Sequence, residues 1–291
     1  MRNVIISLCF FVFPLFFPLC TCQVREQRTP AVQNGDTRIE DFRFLDDYLP
    51  EDIPQDIPQP LPEEAETDIW DVSTVDVSQI DNTRKLVSFT FDDTPARNLE
   101  NILAVFAAFN ESNPSCKATA TLFVNGHLTT PETEPFLSVA YAMNFELGNH
   151  THSHLDLTTL TESEMQKEID RTDEILQKID GKRRHLLRAP FGKSNSLLQA
   201  QASTPIINWT IDTLDWTGVS TDEIYDSVYG NLFPGAIVLM HDGYQNTVDA
   251  LKKLLPDLEK DGYQVLSVSQ LAKAHNCTLR KGKVYVRARK Q

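Results

Sequence analysis

The chain has 291 residues, 41% hydrophobic and 23% charged, with a formal net charge of −14. That is ample material for one large core or two small ones, and the acidic balance gives no basis for nucleic-acid binding. The excess is concentrated, because residues 23–81 hold 16 Asp and Glu against 4 Lys and Arg.

Residues 1–22 begin with Arg2 and run apolar through Ile5, Ile6, Phe10 and Phe11 to Phe16 and Phe17. A cationic start before a short apolar stretch reads as a signal peptide or an uncleaved membrane anchor. Either one places the protein outside the cytoplasm, secreted or held at the cell surface. Cys9 and Cys20 fall in this leader and Cys22 on its border, leaving Cys116 and Cys277 as the mature pair. Export permits a disulfide between them, and two free thiols fit the sequence equally well. Residues 23–81 are acidic and proline-rich, which excludes helix and interior strand and predicts an extended linker. Phe42, Phe44, Leu45, Tyr48 and Trp70 are apolar enough for some to pack on the neighbouring domain.

A folded domain is expected over 82–276. Residues 85–91 form a β-rich run ending in Asp92 and Asp93, followed by a helical period over 95–109. Residues 118–124 read as the second strand, 131–143 as the second helix and 145–148 as the third strand. The last of these leads into His150, His152 and His154. Thr161 to Glu164 is a capping-box signature that opens an amphipathic helix. Short strands follow at 185–188 and 205–211, then a helix capped at Ser220 and running to about Tyr229. An apolar strand at 236–240 stops at His241, and helix 247–259, strand 263–268 and helix 268–275 complete the pattern. Residues 277–291 are a basic tail, expected to be solvated. Some seven alternations of strand and helix predict an α/β fold with a parallel sheet, open or closed into a barrel.

The chemistry-bearing residues all lie just after predicted strands: Asp92 and Asp93, His150 and His154, Arg188, Asp212 and Asp215, and His241. In a barrel these strand ends meet on one face. Each residue has a plain structural reading alone: a capping pair, a histidine-rich loop, a surface arginine, loop carboxylates, a core histidine. Five such coincidences at one rim are a poor alternative to a site. Asp93, His150 and His154 offer one oxygen and two nitrogens, a set that zinc accepts while leaving a position open. Such an ion lowers the pKa of water from about 16 to about 7, and Asp92 stands next in sequence to take the proton. Neighbouring side chains in a strand point opposite ways, so the chain must turn at Asp92 and Asp93 for both to reach one site.

Over residues 85–275 the chain resembles the NodB-type polysaccharide deacetylases, carbohydrate esterase family four. Five motifs occur in order: Thr90-Phe91-Asp92-Asp93, His150-Thr151-x-x-His154, Arg188-Ala189-Pro190-Phe191, Asp212-Thr213-Leu214-Asp215-Trp216, and Leu239-Met240-His241. The resemblance implies a distorted (β/α) barrel of about seven parallel strands and one divalent metal ion, usually zinc. It implies removal of N-acetyl groups from N-acetylglucosamine residues of a cell-wall polysaccharide, peptidoglycan first. Chitin or chitooligosaccharide is the alternative and acetylxylan the third. By the same resemblance Asp93, His150 and His154 hold the metal, Asp92 is the general base and His241 the general acid. Asp215 keeps His241 charged, Arg188 positions Asp92, a backbone N–H near Phe191 faces the oxyanion, and Trp216 and Leu239 wall a pocket for the acetyl methyl. The partner is the acetylated polysaccharide, with membrane contact only through the N-terminus and a monomer expected. A silent carbohydrate-binding barrel is the reading from another class, and it has no use for both a base and an acid.

Two positions depart from the family pattern. Thr94 stands where glycine is usual and would be strained if the loop needs positive φ there, and Phe191 replaces a tyrosine. His152, at the motif's variable position, is expected to be a bystander. The glycosylation sequon at Asn149 is read as accidental, unlike those at Asn110, Asn208 and Asn276.

Overall fold

The computed structural model describes residues 68–289. The leader, the linker up to residue 67, Cys22 and the aromatics from Phe42 to Tyr48 lie outside the described residues, as do the last two positions.

The sheet is built around β1 (Lys85–Thr94), whose interior is buried on both faces. Leu86, Val87, Phe89 and Phe91 form the apolar run expected of a central parallel strand. β2 (Thr121–Val124), β3 (Glu146–Asn149), β5 (Ile211–Asp212), β6 (Ile237–His241) and β7 (Tyr263–Leu266) join it, all in parallel register. The strand order is β3-β2-β1-β6-β5, with β7 beside the start of β1. β4 (Ile206–Ile207) pairs in parallel with β8 (Val284–Tyr285). Single bridges from Asn149 to Leu187 and from Leu187 to Ile206 carry the curve onward from β3. No ladder joins β4 to β5 among the described residues, so the strand pairing does not close into a ring there.

Helices cover the sheet. The longest amphipathic ones are α1 (Leu99–Ser112), α3 (Glu162–Asp180) and α6 (Gln245–Lys260), with α2 (Glu134–Ala142), α4 (Ser196–Gln201), α5 (Thr221–Tyr229) and α7 (Val268–Ala274) between and after them. On α6, Val248, Leu251, Leu254, Leu255 and Leu258 recur at helical spacing and are buried. Phe91, Phe106 and Phe145 meet edge-to-face, with centroids 6.3 and 4.9 Å apart, tying β1, α1 and the start of β3 together. The capping boxes at Thr161 and Ser220 are formed, and a third closes the start of α7 at Ser267.

Three expectations need correction. The strand expected over 205–211 is two short strands, β4 and β5, and residues 185–188 contribute only the bridges at Leu187. The basic tail is not solvated: Leu279 and Ala288 are buried, β8 extends the sheet, and the Ala288 N–H donates to the Gly235 carbonyl at 3.0 Å. The linker also ends earlier than residue 81. Trp70 and Ile80 pack on a core cluster containing Leu271 and Leu279, and the Trp70 N–H donates to the Leu279 carbonyl at 2.9 Å. Both ends of the domain therefore clasp each other. Cys116 and Cys277 are free thiols, and no helix among the described residues is long and apolar enough to cross a membrane.

Candidate active site

Asp92 and Asp93 reach one site because the backbone reverses between them. β1 stays extended through Asp92, which is 4% exposed, and Asp93 then takes a left-handed φ of 59°. That twist swings the Asp93 carboxylate round to the side of its neighbour. The strain expected at Thr94 does not occur, since the positive φ sits one residue earlier and Thr94 continues into a cis peptide bond with Pro95.

The Asp93 Oδ1 atom lies 3.6 Å from His150 Nε2 and 3.5 Å from His154 Nε2. The donor atoms of these three side chains all fall within 4.8 Å of one another, and among the described residues they form the one cluster able to hold an ion. The chemistry of the donor set fits a metal. His150 Nδ1 donates to the Arg188 carbonyl at 2.7 Å, which leaves the Nε2 lone pair facing Asp93, the arrangement usual for a ligating imidazole. His154 holds a φ of 54°. Burial and the neighbouring His150 push its pKa down, against the pull of Asp93 and Asp92, which keeps its ring neutral and able to ligate.

Behind Asp92 lies Arg188, fully buried. Its Nη1 donates to Asp92 Oδ1 and to Thr90 Oγ1, both at 2.7 Å, and its Nε and Nη2 donate to the Ile207 and Asn208 carbonyls at 2.9 and 3.3 Å. The guanidinium lies 4.0 Å from the centre of the Phe123 ring. Burial works against the Asp92 charge, but Arg188 and the nearby His150 and His241 outweigh it and hold the carboxyl below its usual range. Asp92 is therefore an ionised, oriented acceptor whose second oxygen lies 3.6 Å from His150 Nε2.

His241 ends β6, in register with Asp92 on β1. Its Nδ1 donates to Asp215 Oδ1 at 2.8 Å, and Asp215 Oδ2 accepts from the His241 N–H and from Thr247 Oγ1 at 2.8 and 2.7 Å. Burial disfavours the imidazolium, but the Asp215 hydrogen bond and the charges of Asp92, Asp215 and Asp93 overcome it and push the ring up to about 9. A protonated imidazole and an ionised carboxylate thus lie beside the same Asp93, His150 and His154 cluster.

The other expected residues divide. Leu239 is buried in β6, whereas Trp216 and Phe191 stand exposed near the site, Phe191 with a φ of 61° and its ring 4.8 Å from that of His154. Asp212 does not join the site; its carboxylate accepts the Leu214 N–H in a local turn. His152 lies outside the ligand cluster, its Nδ1 buried without a hydrogen-bond partner. Asn149 is buried, and its amide donates to the Ile169 carbonyl and Asp173, so no glycan can attach there. Thr247 and Phe123 support the site without having been singled out, and Asn149, noted in the sequence only as a sequon, supports it too. Thr247 reads in sequence only as the start of a helix, and Phe123 as core.

The profile of the polysaccharide deacetylase family matches residues 79–206. The chain is 33% identical over 192 residues to the peptidoglycan-N-acetylmuramic acid deacetylase PdaC of Bacillus subtilis, a match covering 66% of this chain and 40% of that protein. It is 34% identical over 195 residues to a peptidoglycan-N-acetylglucosamine deacetylase of Bacillus cereus, covering 64% and 67%. The solved structure of the Bacillus subtilis PdaC superposes with a TM-score of 0.62 at 31% identity, over 68% of this chain and 94% of that one. With the fold, the motif order and these matches in agreement, the chain belongs to the polysaccharide deacetylase family.

Proposed function

We propose that this protein removes N-acetyl groups from N-acetylglucosamine residues of a cell-wall polysaccharide, peptidoglycan foremost, outside the cytoplasm. The observation that carries the reading is the pairing of an ionised Asp92 with a protonated His241 across the Asp93, His150 and His154 cluster. A carbohydrate-binding barrel needs neither. The peptidoglycan choice draws on the activities for which the relatives from Bacillus subtilis and Bacillus cereus are named.

A divalent ion, zinc by the mixed nitrogen and oxygen set, would supply Lewis acidity, acidifying water and polarising the acyl oxygen. The chain's own groups handle the protons. Asp92, fixed by Arg188, takes one from the attacking water. The new C–O bond forms as the amide C–N bond breaks, and His241 gives its Nε2 proton to the departing sugar nitrogen. Acetic acid and a free amine result and ionise to acetate and an ammonium group, and the proton taken by Asp92 passes to His241, which restores both starting charges. The exposed Trp216 and Phe191 offer apolar faces beside the site on which a sugar ring can rest.

Acetate release compared across peptidoglycan, chitooligosaccharides and acetylxylan tests the assignment, with Asp93→Ala as the control. Peptidoglycan should be turned over fastest, and the variant should lose zinc and activity together. Full zinc stoichiometry in Asp93→Ala, by elemental analysis, would overturn the ligand set, and faster turnover of acetylxylan would overturn the substrate.

A further inference from the structure

A second cluster of ionisable groups lies behind the ligand loop, and the deacetylation chemistry makes no use of it. His185 is buried, with Nδ1 2.8 Å from Asp173 Oδ1 and Nε2 3.1 and 3.2 Å from the two oxygens of Asp180. Asp173 and Asp180 project from α3, and the side chains of all three residues are at most 4% exposed. Both ring nitrogens face carboxylate oxygens, which only accept, so the ring must donate at both positions and carry a proton on each. Arg184 adds a second cation, its Nη1 3.3 Å from Asp173 Oδ2 and paired also with Asp170. Lys182 Nζ lies 3.8 Å from Asp180 Oδ2, so the two buried carboxylates face three cationic side chains. Burial alone would keep the ring neutral, yet the hydrogen bonds to Asp173 and Asp180 and their charges push it up to about 9.

A buried ion cluster of this kind adds little to stability over well-packed apolar side chains, so its use lies in what it aims. Asp173 Oδ1 also accepts from Asn149 Nδ2 at 2.9 Å, and the same amide nitrogen donates to the Ile169 carbonyl at 2.9 Å. Turning the amide over would set its oxygen against two acceptors, so its orientation is fixed. The Asn149 oxygen then accepts the Thr151 N–H at 2.8 Å and holds Thr151 at a φ of 68°, costly for a β-branched residue. His150 stands between Asn149 and Thr151. Its ring is aimed by the Arg188 carbonyl, and the Arg188 N–H is in turn bound to the Asn149 carbonyl at 2.9 Å.

We propose that the buried Asp173–His185–Asp180 cluster positions the His150 loop through the Asn149 amide, with His185, donating from both ring nitrogens, fixing the Asp173 side chain where Asn149 meets it. Asp173, His185 and Asp180 are positioning residues, several bonds removed from any reacting atom. The proposal rests on the reading of His150 as a metal ligand only for the last of its three measurements.

Nitrogen-15 NMR of the His185 ring at neutral pH should show a hydrogen on both nitrogens; a neutral ring overturns the proposal. Amide hydrogen exchange should show Thr151 exchanging about tenfold faster or more in Asp173→Ala, with protection largely restored in Asp173→Asn, whose amide oxygen can still accept from Asn149. Unchanged exchange in Asp173→Ala overturns it. Zinc affinity of the metal-free protein should fall by about 10–100-fold in Asp173→Ala, the loss usual for a supporting partner of a ligand, and recover in Asp173→Asn. A cavity variant on α5, Val228→Ala, should keep full affinity, which separates positioning from general loosening of the fold. Equal affinity in Asp173→Ala and the unaltered protein overturns the proposal. Should the unaltered protein bind no zinc, the ligand reading fails, and the NMR and exchange results still decide the positioning role.

Discussion

Replacing Asp215 with Asn isolates the group that keeps His241 protonated. Asp215 meets His241 twice, at the ring Nδ1 and at the backbone N–H, and is itself anchored by Thr247. Against the loss from burial, this contact and the charges of Asp92, Asp215 and Asp93 push the imidazole up to about 9. The rise from 6.5 corresponds to ~3 kcal/mol in favour of the charged ring. A bound divalent ion offsets part of that carboxylate field, so about 9 is a ceiling for the working enzyme. The pKa is raised, so the acid is loaded at low pH and is lost as pH climbs through its folded value; activity must show a basic limb at or below that point. In Asp215→Asn the hydrogen bond and charge are gone, and burial, the largest influence on the ring, is opposed only by Asp92 and Asp93, whose field a bound ion offsets. The ring is then expected at or below its usual value, at most about a quarter protonated at pH 7. The basic limb of kcat should move roughly two units toward acid, and kcat at pH 7 should fall at least about fourfold. The fall is larger if the new amide presents its NH₂ to Nδ1 and forces the wrong tautomer. Acetate release followed from roughly pH 5 to pH 10 measures this. An identical basic limb in both proteins would refute the role of Asp215, and a profile without any basic limb would refute His241 as the acid.

Asp92→Asn should retain zinc and lower kcat by about 10²–10⁴-fold, measured by single-turnover acetate release; a full-rate variant would move the base elsewhere. Compared with a protein beginning at residue 68, one beginning at Lys85 loses the buried faces of Trp70 and Ile80 and should be about 3–5 kcal/mol less stable in urea. Stability should also fall as pH rises from 6.5 through about 9, because His185 and His241 both hold protons more tightly folded than unfolded. Each contributes ~3 kcal/mol below pH 6.5 that is lost above its folded value. Urea titrations of the metal-free protein across that window should show His185→Gln removing about half of the slope, and an unchanged slope would contradict a charged His185.

Much of the fold was legible because its elements carry their own signals. Helices α3 and α5 announce themselves by capping boxes, α6 by a stripe of leucines, and β1 and β6 by apolar runs that stop at charged residues. The region from residue 185 to 212 was harder. Strands of two residues have no periodicity to detect, and what makes β4 a strand is pairing with β8, almost eighty residues downstream. The tail containing β8 looks polar and basic because only scattered positions, Leu279 and Ala288 among them, turn inward. Of the five apolar residues that hinted at packing before residue 82, Trp70 is the one among the described residues, and it does pack on the core.

The residues gathered at the candidate site were readable as residue types, but the way the chain brings them together was not. Asp93, Thr151, His154, Phe191 and Leu214 all sit at left-handed φ, and all lie in the motif loops around the site. Sequence advertises positive φ only through glycine or asparagine, as at Asn144 and Asn276, and none of these five is either. Each such residue costs about 1–3 kcal/mol unless its surroundings impose it. At Asp93 the constraint follows β1's long ladder with β6, and at Thr151 it is the Asn149 oxygen. At Leu214 it is the Asp212 carboxylate, which accepts the Leu214 N–H and explains why a motif aspartate that touches no ligand is present at all. The same logic accounts for Gly148. A Cβ there would lie 2.7 Å from the Phe123 ring, on which the Arg188 guanidinium rests, so a methyl group two residues before His150 would press on Asp92 through two intervening side chains. Tuning of Asp92 thus reaches back to a glycine that carries no polar group.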